Sequence, residues 1–384
     1  MVKIAIIDTG IDIEQLQCRT IVEDAYIIDN NLIPVKVFDR SNITEQHGTI
    51  CARILEKYLA YNNVDYSIID INAFYAKDNK SSLYTEVDKL TSALELCLEL
   101  KVQIVSLSLG LQIIRNIKKL ENAVKKLELN NTIIIAAGDN NKKIGLPALY
   151  SHVLGVEMDY SKNLGIDQIV YSEKCFRGIQ VSARCPFSDS RQSNSYTVPV
   201  VVSRIAQYID IGINNLDEIV NELKKETPSD LLHIIEKEYK NELQCCDVQY
   251  SIPHININIE GKDDSLRLAE ILLNQMSEIQ YDGICIYDCE KDIQDIRFFN
   301  SEVLYNNLEN AICFFEQYSN VDYIVSCGNI SSVREVPDMS IYIKGKELFI
   351  TNTGRTVYHD DHMNYRDINY AGIISRELTK DVES

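Results

Sequence analysis

Residues 3–8, Lys3-Ile4-Ala5-Ile6-Ile7-Asp8, form a short apolar run that ends at a carboxylate. A continuous run of this kind is typical of a strand that is buried on both faces of a parallel sheet. Similar apolar runs occur later in the chain, at residues 66–71, 102–109, 132–137 and 153–156. Segments with the hydrophobic period of an amphipathic helix separate them, at residues 50–61, 84–100 and 116–129. This alternation predicts an α/β fold with a parallel sheet flanked by helices.

The pattern changes after residues 214–242, which predict two charged helices separated at Thr227-Pro228-Ser229-Asp230. Beyond them the alternation restarts, with strands predicted at residues 253–260, 282–288 and 323–327, helices at 264–279 and 302–318, and a hairpin at 340–344 and 347–351. We therefore expect two domains. The first, residues 1–243, contains the parallel sheet, and the second, residues 244–384, is a smaller α/β accessory domain.

The chain of 384 residues carries a net charge of −19. This charge argues against nonspecific binding to nucleic acid or to an anionic membrane, because both require a basic face. It suits a basic peptide or protein partner. The 11 cysteines include no CxxC pair, which is typical of free thiols in a reducing compartment. With no signal-peptide pattern and no apolar run of about 20 residues, the expected location is the cytoplasm.

Residues with catalytic chemistry fall at the ends of predicted elements. Asp8 ends the first strand, and His47 begins a helix. Ser195 lies where the polar run Ser193-Asn194 gives way to an apolar helix, with Pro199 expected in its first turn. A serine in such a place can be a helix cap and nothing more. A serine nucleophile, however, needs a base within reach and a carboxylate that orients the base, and Asp, His and Ser in this order match one known chain order of that triad.

Five segments, taken in chain order, resemble the motifs of the subtilisin-like serine peptidases, or subtilases. They are Ile6-Ile7-Asp8-Thr9-Gly10-Ile11-Asp12, His47-Gly48-Thr49, Ser106-Leu107-Ser108-Leu109-Gly110, Ala136-Ala137-Gly138 and Ser195-Tyr196-Thr197-Val198-Pro199. Each motif is short, and their common order and spacing make the resemblance specific over residues 1–243. The resemblance does not extend to residues 244–384.

The resemblance implies a site that hydrolyses peptide bonds through an acyl-enzyme. Ser195 is then the nucleophile, His47 is the general base and later the acid, and Asp8 orients His47. The residues implied to bind substrate, or to lead into the oxyanion hole, are Ser108, Leu109, Gly110, Ala136, Ala137 and Gly138. No cofactor and no catalytic metal are expected. Calcium sites are common in the family, but the sequence assigns none here.

The sequence departs from the pattern of the family in two places. Ser193-Asn194 replaces the usual Gly-Thr before the nucleophile, and Asp139 stands where the family has the oxyanion asparagine. An ionised carboxylate repels the negative charge that develops there, and it donates a hydrogen bond only when protonated. Three alternatives stay open: Asp139 is neutral in place, Asn140 enters the hole after a shift of one residue, or the site is weak or inactive.

Other motifs have simpler explanations. Asp8-Thr9-Gly10 is also the signature of aspartic peptidases, but their chemistry needs a second such carboxylate, and the chain has no second copy. Cys51, one helical turn after His47, resembles the cysteine of a thiol-bearing branch of subtilases, and its expected role is that of a small buried apolar side chain. His359-Asp360-Asp361-His362 has a spacing that suits metal ligands, but we predict an exposed polar turn.

The sequence thus predicts a cytoplasmic serine endopeptidase. Because minimal subtilases lack the second domain, we expect a dedicated processing peptidase, such as one that removes a leader peptide or a pro-peptide. The acidic chain favours a basic residue near the cut. The alternative is a degenerate subtilase that binds peptides without efficient cleavage.

Overall fold

The structure is a computed structural model that describes most of the chain. The described residues are 1–17, 20–38, 47–76, 83–112, 117–173, 178–244, 252–259, 261–288, 293, 295–300, 308–327, 337–344, 347–360 and 368–380. The chain divides into two compact units. The first comprises the described residues up to 238, and the second comprises those from 239 onward.

The first unit is built on a nine-stranded sheet with the order β10-β11-β9-β8-β7-β1-β4-β2-β3. Its strands are β1 (Val2–Asp8), β2 (Ile21–Ile28), β3 (Pro34–Lys36), β4 (Tyr66–Asn72), β7 (Ile104–Leu107), β8 (Ile133–Ala137), β9 (Val153–Met158), β10 (Ile169–Tyr171) and β11 (Ile179–Ala183). The strands from β11 to β2 pair in parallel, and only the edge pairs β10–β11 and β2–β3 are antiparallel. β5 (Tyr75–Ala76) and β6 (Leu83–Tyr84) form a separate two-stranded ribbon.

Helices accompany this sheet. They are α1 (His47–Asn62), α2 (Val87–Glu99), α3 (Lys118–Leu129), α4 (Asn194–Asp210) and α5 (Leu216–Glu226), with a short 3-10 helix at Ile13–Gln15. Helix α6 (Ser229–Gln244) begins in the first unit and ends in the second. One apolar cluster joins Ile4 and Ile6 of β1 to Leu55 of α1 and Val201 of α4. The intervening residues of the central strands, such as Ile7, are buried as well. Burial on both faces explains the continuous apolar runs, and the predicted parallel-sheet α/β fold is confirmed.

Helix α4 begins earlier than the sequence suggested. Ser193 is its N-cap and Asn194 its first residue, so Pro199 is the sixth residue and lies in the second turn. The prediction that Pro199 lies in the first turn is therefore wrong. Because proline has no N–H, the carbonyl group four residues earlier, that of Ser195, loses its helical donor.

The second unit contains a seven-stranded sheet with the order β14-β13-β15-β12-β16-β17-β18. Its strands are β12 (His254–Asn258), β13 (Gly283–Tyr287), β14 (Phe298–Asn300), β15 (Tyr323–Cys327), β16 (Met339–Lys344), β17 (Glu347–Asn352) and β18 (Arg355–Asp360). Its helices are α7 (Lys262–Glu278), α8 (Leu308–Tyr318) and α9 (Tyr370–Lys380). The strands from β14 to β16 are parallel, and β17 and β18 add two antiparallel strands.

For the predicted exposed turn at residues 359–362, the exposure of His359 is confirmed, but the turn is wrong at residues 359–360. His359 and Asp360 end strand β18, and the His359 ring stacks on Phe349 of β17 with centroids 4.5 Å apart. Asp361 and His362 lie outside the described residues. No described helix is both long and apolar enough to cross a membrane.

Candidate active site

The carboxyl ends of three adjacent parallel strands form the edge of the sheet where the predicted site residues lie. Strand β1 ends at Asp8, β7 is followed by Ser108, and β8 is followed by Gly138 and Asp139. Because β8 lies beside β7 and β7 beside β1, these ends are neighbours in space. Sites of open α/β sheets form at this edge.

Asp8 and His47 form a close pair. Nδ1 of the His47 ring lies 3.0 Å from Oδ1 and 2.9 Å from Oδ2 of Asp8. The Asp8 side chain is 2% exposed and the His47 side chain 31% exposed, so the carboxylate is buried while the ring is partly open to solvent. The Thr9 N–H donates a further hydrogen bond to Asp8 Oδ1 at 2.7 Å. Since the carboxylate engages Nδ1, Nε2 is the nitrogen left for proton transfer.

The start of α1 is held against the aspartate loop. The Gly48 N–H donates to Thr9 Oγ1 at 3.0 Å. A Cβ atom on Gly48 would lie 2.7 Å from the Gly10 carbonyl oxygen and 3.1 Å from Asp8 Cβ, closer than packed atoms allow. The glycine after His47 therefore permits the approach that brings the imidazole onto the carboxylate.

Ser195 lies in the first turn of α4, beside this pair. The Tyr196 ring stacks on the His47 ring, with centroids 4.9 Å apart and an angle of 29° between the planes. In the part of the chain that the structure describes, no hydrogen bond joins the Ser195 hydroxyl to the imidazole. Such bonds are often loose before substrate binds and tighten in the complex. The Asp8–His47 pair thus lies beside the turn of α4 that carries Ser195, and the catalytic roles of the three residues stay a prediction.

Cys51 contacts several parts of the site. Its Sγ lies 3.8 Å from His47 Nδ1, and its single S–H has two acceptors in range, Ser108 Oγ at 3.4 Å and the Ser195 carbonyl oxygen at 3.9 Å. This carbonyl group is the one that Pro199 leaves without a helical donor. The Cys51 side chain is fully buried, and burial raises the pKa of its thiol. The environment fits a small buried thiol that helps to join α1 to α4.

The Asp8 carboxylate changes the acid–base behaviour of His47. Burial alone lowers the pKa of His47, but the hydrogen bond and negative charge of Asp8, with a smaller contribution from Cys51, outweigh burial and raise that pKa above its ordinary value of 6.5. A general base acts in its neutral form, so a raised pKa moves the acidic limb of the rate profile to higher pH. We expect the labelling rate with a fluorophosphonate, measured against pH, to reach half its maximum above pH 6.5.

A control separates this effect from other histidines of the chain. His152 pairs with Glu128 at 2.7 Å and is not part of the site, so His152→Gln should leave the profile unchanged. A half-maximal pH at or below the ordinary value of 6.5 would contradict the role assigned to the Asp8–His47 pair.

The Asp139 carboxylate is engaged within its own turn. Its Oδ1 accepts the N–H groups of Asn141 at 2.8 Å and Lys143 at 3.2 Å. Its Oδ2 accepts Nε2–H of Gln112 at 2.7 Å. An aspartate that bonds the N–H groups following it is a common device for fixing a turn. Oδ1 is therefore bonded within the loop, and Oδ2 is bonded to Gln112.

The side chain of Asn140, the residue after Asp139, contacts α4. Its Oδ1 accepts the backbone N–H of Asn194 at 2.8 Å. That hydrogen bond fixes the Asn140 amide one residue from Ser195, whereas the Asp139 carboxylate has no such contact among the described residues.

The residues predicted to bind substrate follow β7 and end β8. Ser108 and Leu109 are buried, and Gly110 is exposed. A Cβ on Gly110 would lie 3.4 Å from the Ala137 carbonyl oxygen, so this glycine runs close beside the end of β8. Ala136 and Ala137 are buried in β8, and Gly138 donates its N–H to Val156 at 2.8 Å. Substrate binding by these residues stays a prediction.

Among the described residues, one group of side chains could hold a metal ion, and it consists of Asp8, His47 and Cys51. Their nearest ligand atoms lie within 4.8 Å of one another, and oxygen, nitrogen and sulfur donors together suit Zn²⁺. An ion there would compete with Asp8 for Nδ1 of His47. The donor set therefore does not support a metal that works together with the Asp8–His47 pair.

Sequence reasoning missed the contributions of several polar residues. Gln112 and Tyr196 were not singled out, and Asn194 was noted only as a departure from the family motif. Tyr196 directly follows Ser195, so its place beside the nucleophile was available from the sequence. The contact between Gln112 and Asp139 spans 27 positions and left no sequence signal.

Comparison with known families and structures bears on the first unit. A sequence model described as "Subtilase family" matches residues 1–202, more than half of the chain. A search of curated proteins finds no match.

Several solved structures are similar to this chain at low sequence identity. A prenylagaramide maturation protease is 15% identical, with 65% of this chain and 84% of the other covered and a TM-score of 0.38. A psychrophilic protease is 17% identical, with coverage of 58% and 82% and a TM-score of 0.44. A lanthipeptide protease is 14% identical, with coverage of 62% and 79% and a TM-score of 0.39.

Proposed function

Because the chain belongs to the subtilase family of serine peptidases, we propose that it cleaves peptide bonds through an acyl-enzyme formed on Ser195. The observation that carries this proposal is the Asp8–His47 pair, held at 2.9 Å beside the first turn of α4. Asp8 keeps the His47 ring in one orientation and stabilises the imidazolium that forms when the ring takes a proton.

In the acylation step, the Ser195 Oγ attacks the carbonyl carbon of the scissile bond while its proton passes to His47 Nε2. The resulting tetrahedral species collapses, the C–N bond breaks, and the imidazolium returns the proton to the leaving amine. Water then attacks the acyl-enzyme in the same way, with its proton passing to His47, and the acid product leaves as Ser195 is restored. The atoms balance without a cofactor, and we propose none.

For the negative oxygen of the tetrahedral species, we propose the backbone N–H of Ser195 and the side-chain NH₂ of Asn140. The hydrogen bond from the Asn194 N–H to Asn140 Oδ1, 2.8 Å long, supports this choice. The three hydrogen bonds that engage the Asp139 carboxylate argue against that residue as the donor. Of the alternatives that the sequence left open, we thus favour a shift of one residue.

The substrate is proposed to pair with the exposed backbone near Gly110 as an added strand, a common mode of peptide recognition. The second unit has its own sheet and apolar core, which a minimal subtilase lacks. This addition supports a processing peptidase that selects one kind of precursor, with a basic residue near the cut to match the acidic chain. The described cysteines are buried and free, which supports action in a reducing compartment such as the cytoplasm.

The experiment that tests selective processing compares two substrates. We expect the protein to leave casein largely intact and to cut a proteome-derived peptide library at a small set of related junctions, enriched in Lys or Arg near the cut. New termini are identified by mass spectrometry, and the Ser195→Ala variant provides the background. General digestion of casein without a preferred junction would contradict a dedicated processing role.

A further inference from the structure

Asn194, directly before Ser195, has an unusually complete set of hydrogen bonds. Its side chain is fully buried. Its Nδ2 donates to the carbonyl oxygens of Gly138 and Asp139, each at 3.1 Å. Its Oδ1 accepts from the Met158 N–H at 2.9 Å and, more weakly, from the Tyr160 hydroxyl at 3.3 Å. A side-chain amide has two donor hydrogens and two acceptor lone pairs, and here all of them are used.

These contacts tie three elements to one side chain. Asn194 begins α4, Gly138 and Asp139 follow β8, and Met158 is the last residue of β9. The backbone N–H of Asn194 adds a fourth connection, because it donates to Asn140 Oδ1 at 2.8 Å. The residue before the nucleophile therefore fixes the course of the whole segment 138–140.

The two departures from the subtilase motifs are linked by this geometry. A threonine, which the family usually carries at this position, has a single hydroxyl donor and could not bind two carbonyl groups at once. An asparagine can, and the segment that it binds is the one in which Asp139 replaces the usual asparagine. One departure thus compensates for the other.

We propose that Asn194 is a positioning residue that sets the segment 138–140 so that Asn140, rather than Asp139, faces the oxyanion beside the Ser195 N–H. The inference rests on the proposed peptidase function and adds a cause for the shift of one residue. Asn194 does not touch the reacting atoms, and it acts through the place that it gives to Asn140.

The test is the rate of labelling of Ser195 by a fluorophosphonate, whose phosphoryl oxygen binds in the oxyanion hole. We expect Asn194→Ala to lower the labelling rate at saturation about 10- to 100-fold, because a misplacement of about 1 Å can cost about 100-fold. The concentration for half-maximal labelling should stay near that of the wild type. Asn194→Thr should show the same defect, since threonine lacks the second donor.

A double variant separates positioning from general structural damage. If Asn194 acts through Asn140, then Asn194→Ala combined with Asn140→Ala should be no slower than Asn140→Ala alone. Ser203→Ala removes another buried hydrogen bond of α4, from Ser203 to the Val200 carbonyl at 2.7 Å, and should leave labelling unchanged. A folded Asn194→Ala variant that labels at the wild-type rate, or a fully additive double variant, would overturn the inference.

Two further measurements keep the outcome clear. Tyr160→Phe removes the 3.3 Å hydrogen bond to Asn194, and it should give a smaller loss of rate even where Asn194→Ala does not fold. A wild-type rate for Tyr160→Phe under that circumstance would count against the inference. If the wild type fails to label at all, the peptidase proposal fails. Hydrogen exchange then tests the role of Asn194 separately, because unchanged protection of the Met158 amide in Asn194→Ala would refute the proposed network.

Discussion

Replacing Ser195 with alanine is expected to lower the rate of peptide hydrolysis about 10⁶-fold, the loss seen when the serine of subtilisin is removed. The effect is large because the proposed acyl-enzyme forms on the Ser195 hydroxyl, and alanine has no atom that can attack the substrate. The same change should abolish covalent labelling by a fluorophosphonate, which intact-mass measurement detects as the absence of the adduct. Thermal unfolding should change little, since the Ser195 hydroxyl has no hydrogen-bond partner among the described residues.

Ser193→Ala is the matched control. Ser193 is the N-cap of α4, but its side chain makes no capping hydrogen bond, so losing its hydroxyl should affect neither labelling nor hydrolysis. Labelling that persists in Ser195→Ala would move the nucleophile to another residue. Absence of labelling in the wild type would favour the alternative function, a degenerate subtilase that binds peptides without cutting them.

The central part of the fold could be predicted from the sequence because its physical signal is local. Strands β1, β4, β8 and β9 are buried on both faces, so they appear as continuous apolar runs. Asp8 interrupts the first of these runs, and a carboxylate at the end of a buried strand is conspicuous. Five motifs in chain order, including those of Asp8, His47 and Ser195, then indicated the family, which the match over residues 1–202 confirms.

The edges of the sheet could not be predicted in the same way. Strand β2 is only partly buried, and its apolar residues, such as the half-exposed Ile21, do not form a continuous run. β3 and β10 have three residues each, too few to show a period. Such strands form because a neighbour offers unpaired backbone groups, and that neighbour is distant in the sequence.

The oxyanion segment was ambiguous for a related reason. The family motif aligned Asp139 with the usual asparagine, and two of the contacts that distinguish Asp139 from Asn140 are long-range. The carboxylate is held by Gln112, 27 positions away, and Asn140 is held by Asn194, 54 positions away. A short motif contains neither partner, so the sequence left three alternatives where the contacts favour one.

Removal of the Asn140 side chain is therefore expected to have the second largest effect on the reaction. Asn140→Ala should lower the turnover about 10²- to 10³-fold, as the loss of one oxyanion donor does in subtilisin, while substrate affinity stays nearly unchanged. The amide donates to the oxygen only when negative charge develops on it, so its loss slows the chemical step and leaves ground-state binding intact. Steady-state kinetics with a cleaved peptide separate kcat from KM.

Asp139→Asn gives the decisive comparison. Because the Asp139 carboxylate only accepts hydrogen bonds from its own turn and from Gln112, an amide there cannot reach the oxyanion, and the turnover should stay close to that of the wild type. The exposed neighbour Asn141 supplies the control, since its side chain makes no hydrogen bond among the described residues, and Asn141→Ala should leave the turnover unchanged. If Asp139→Asn raised the turnover and Asn140→Ala did not lower it, Asp139 would occupy the hole, and the shift of one residue would be wrong.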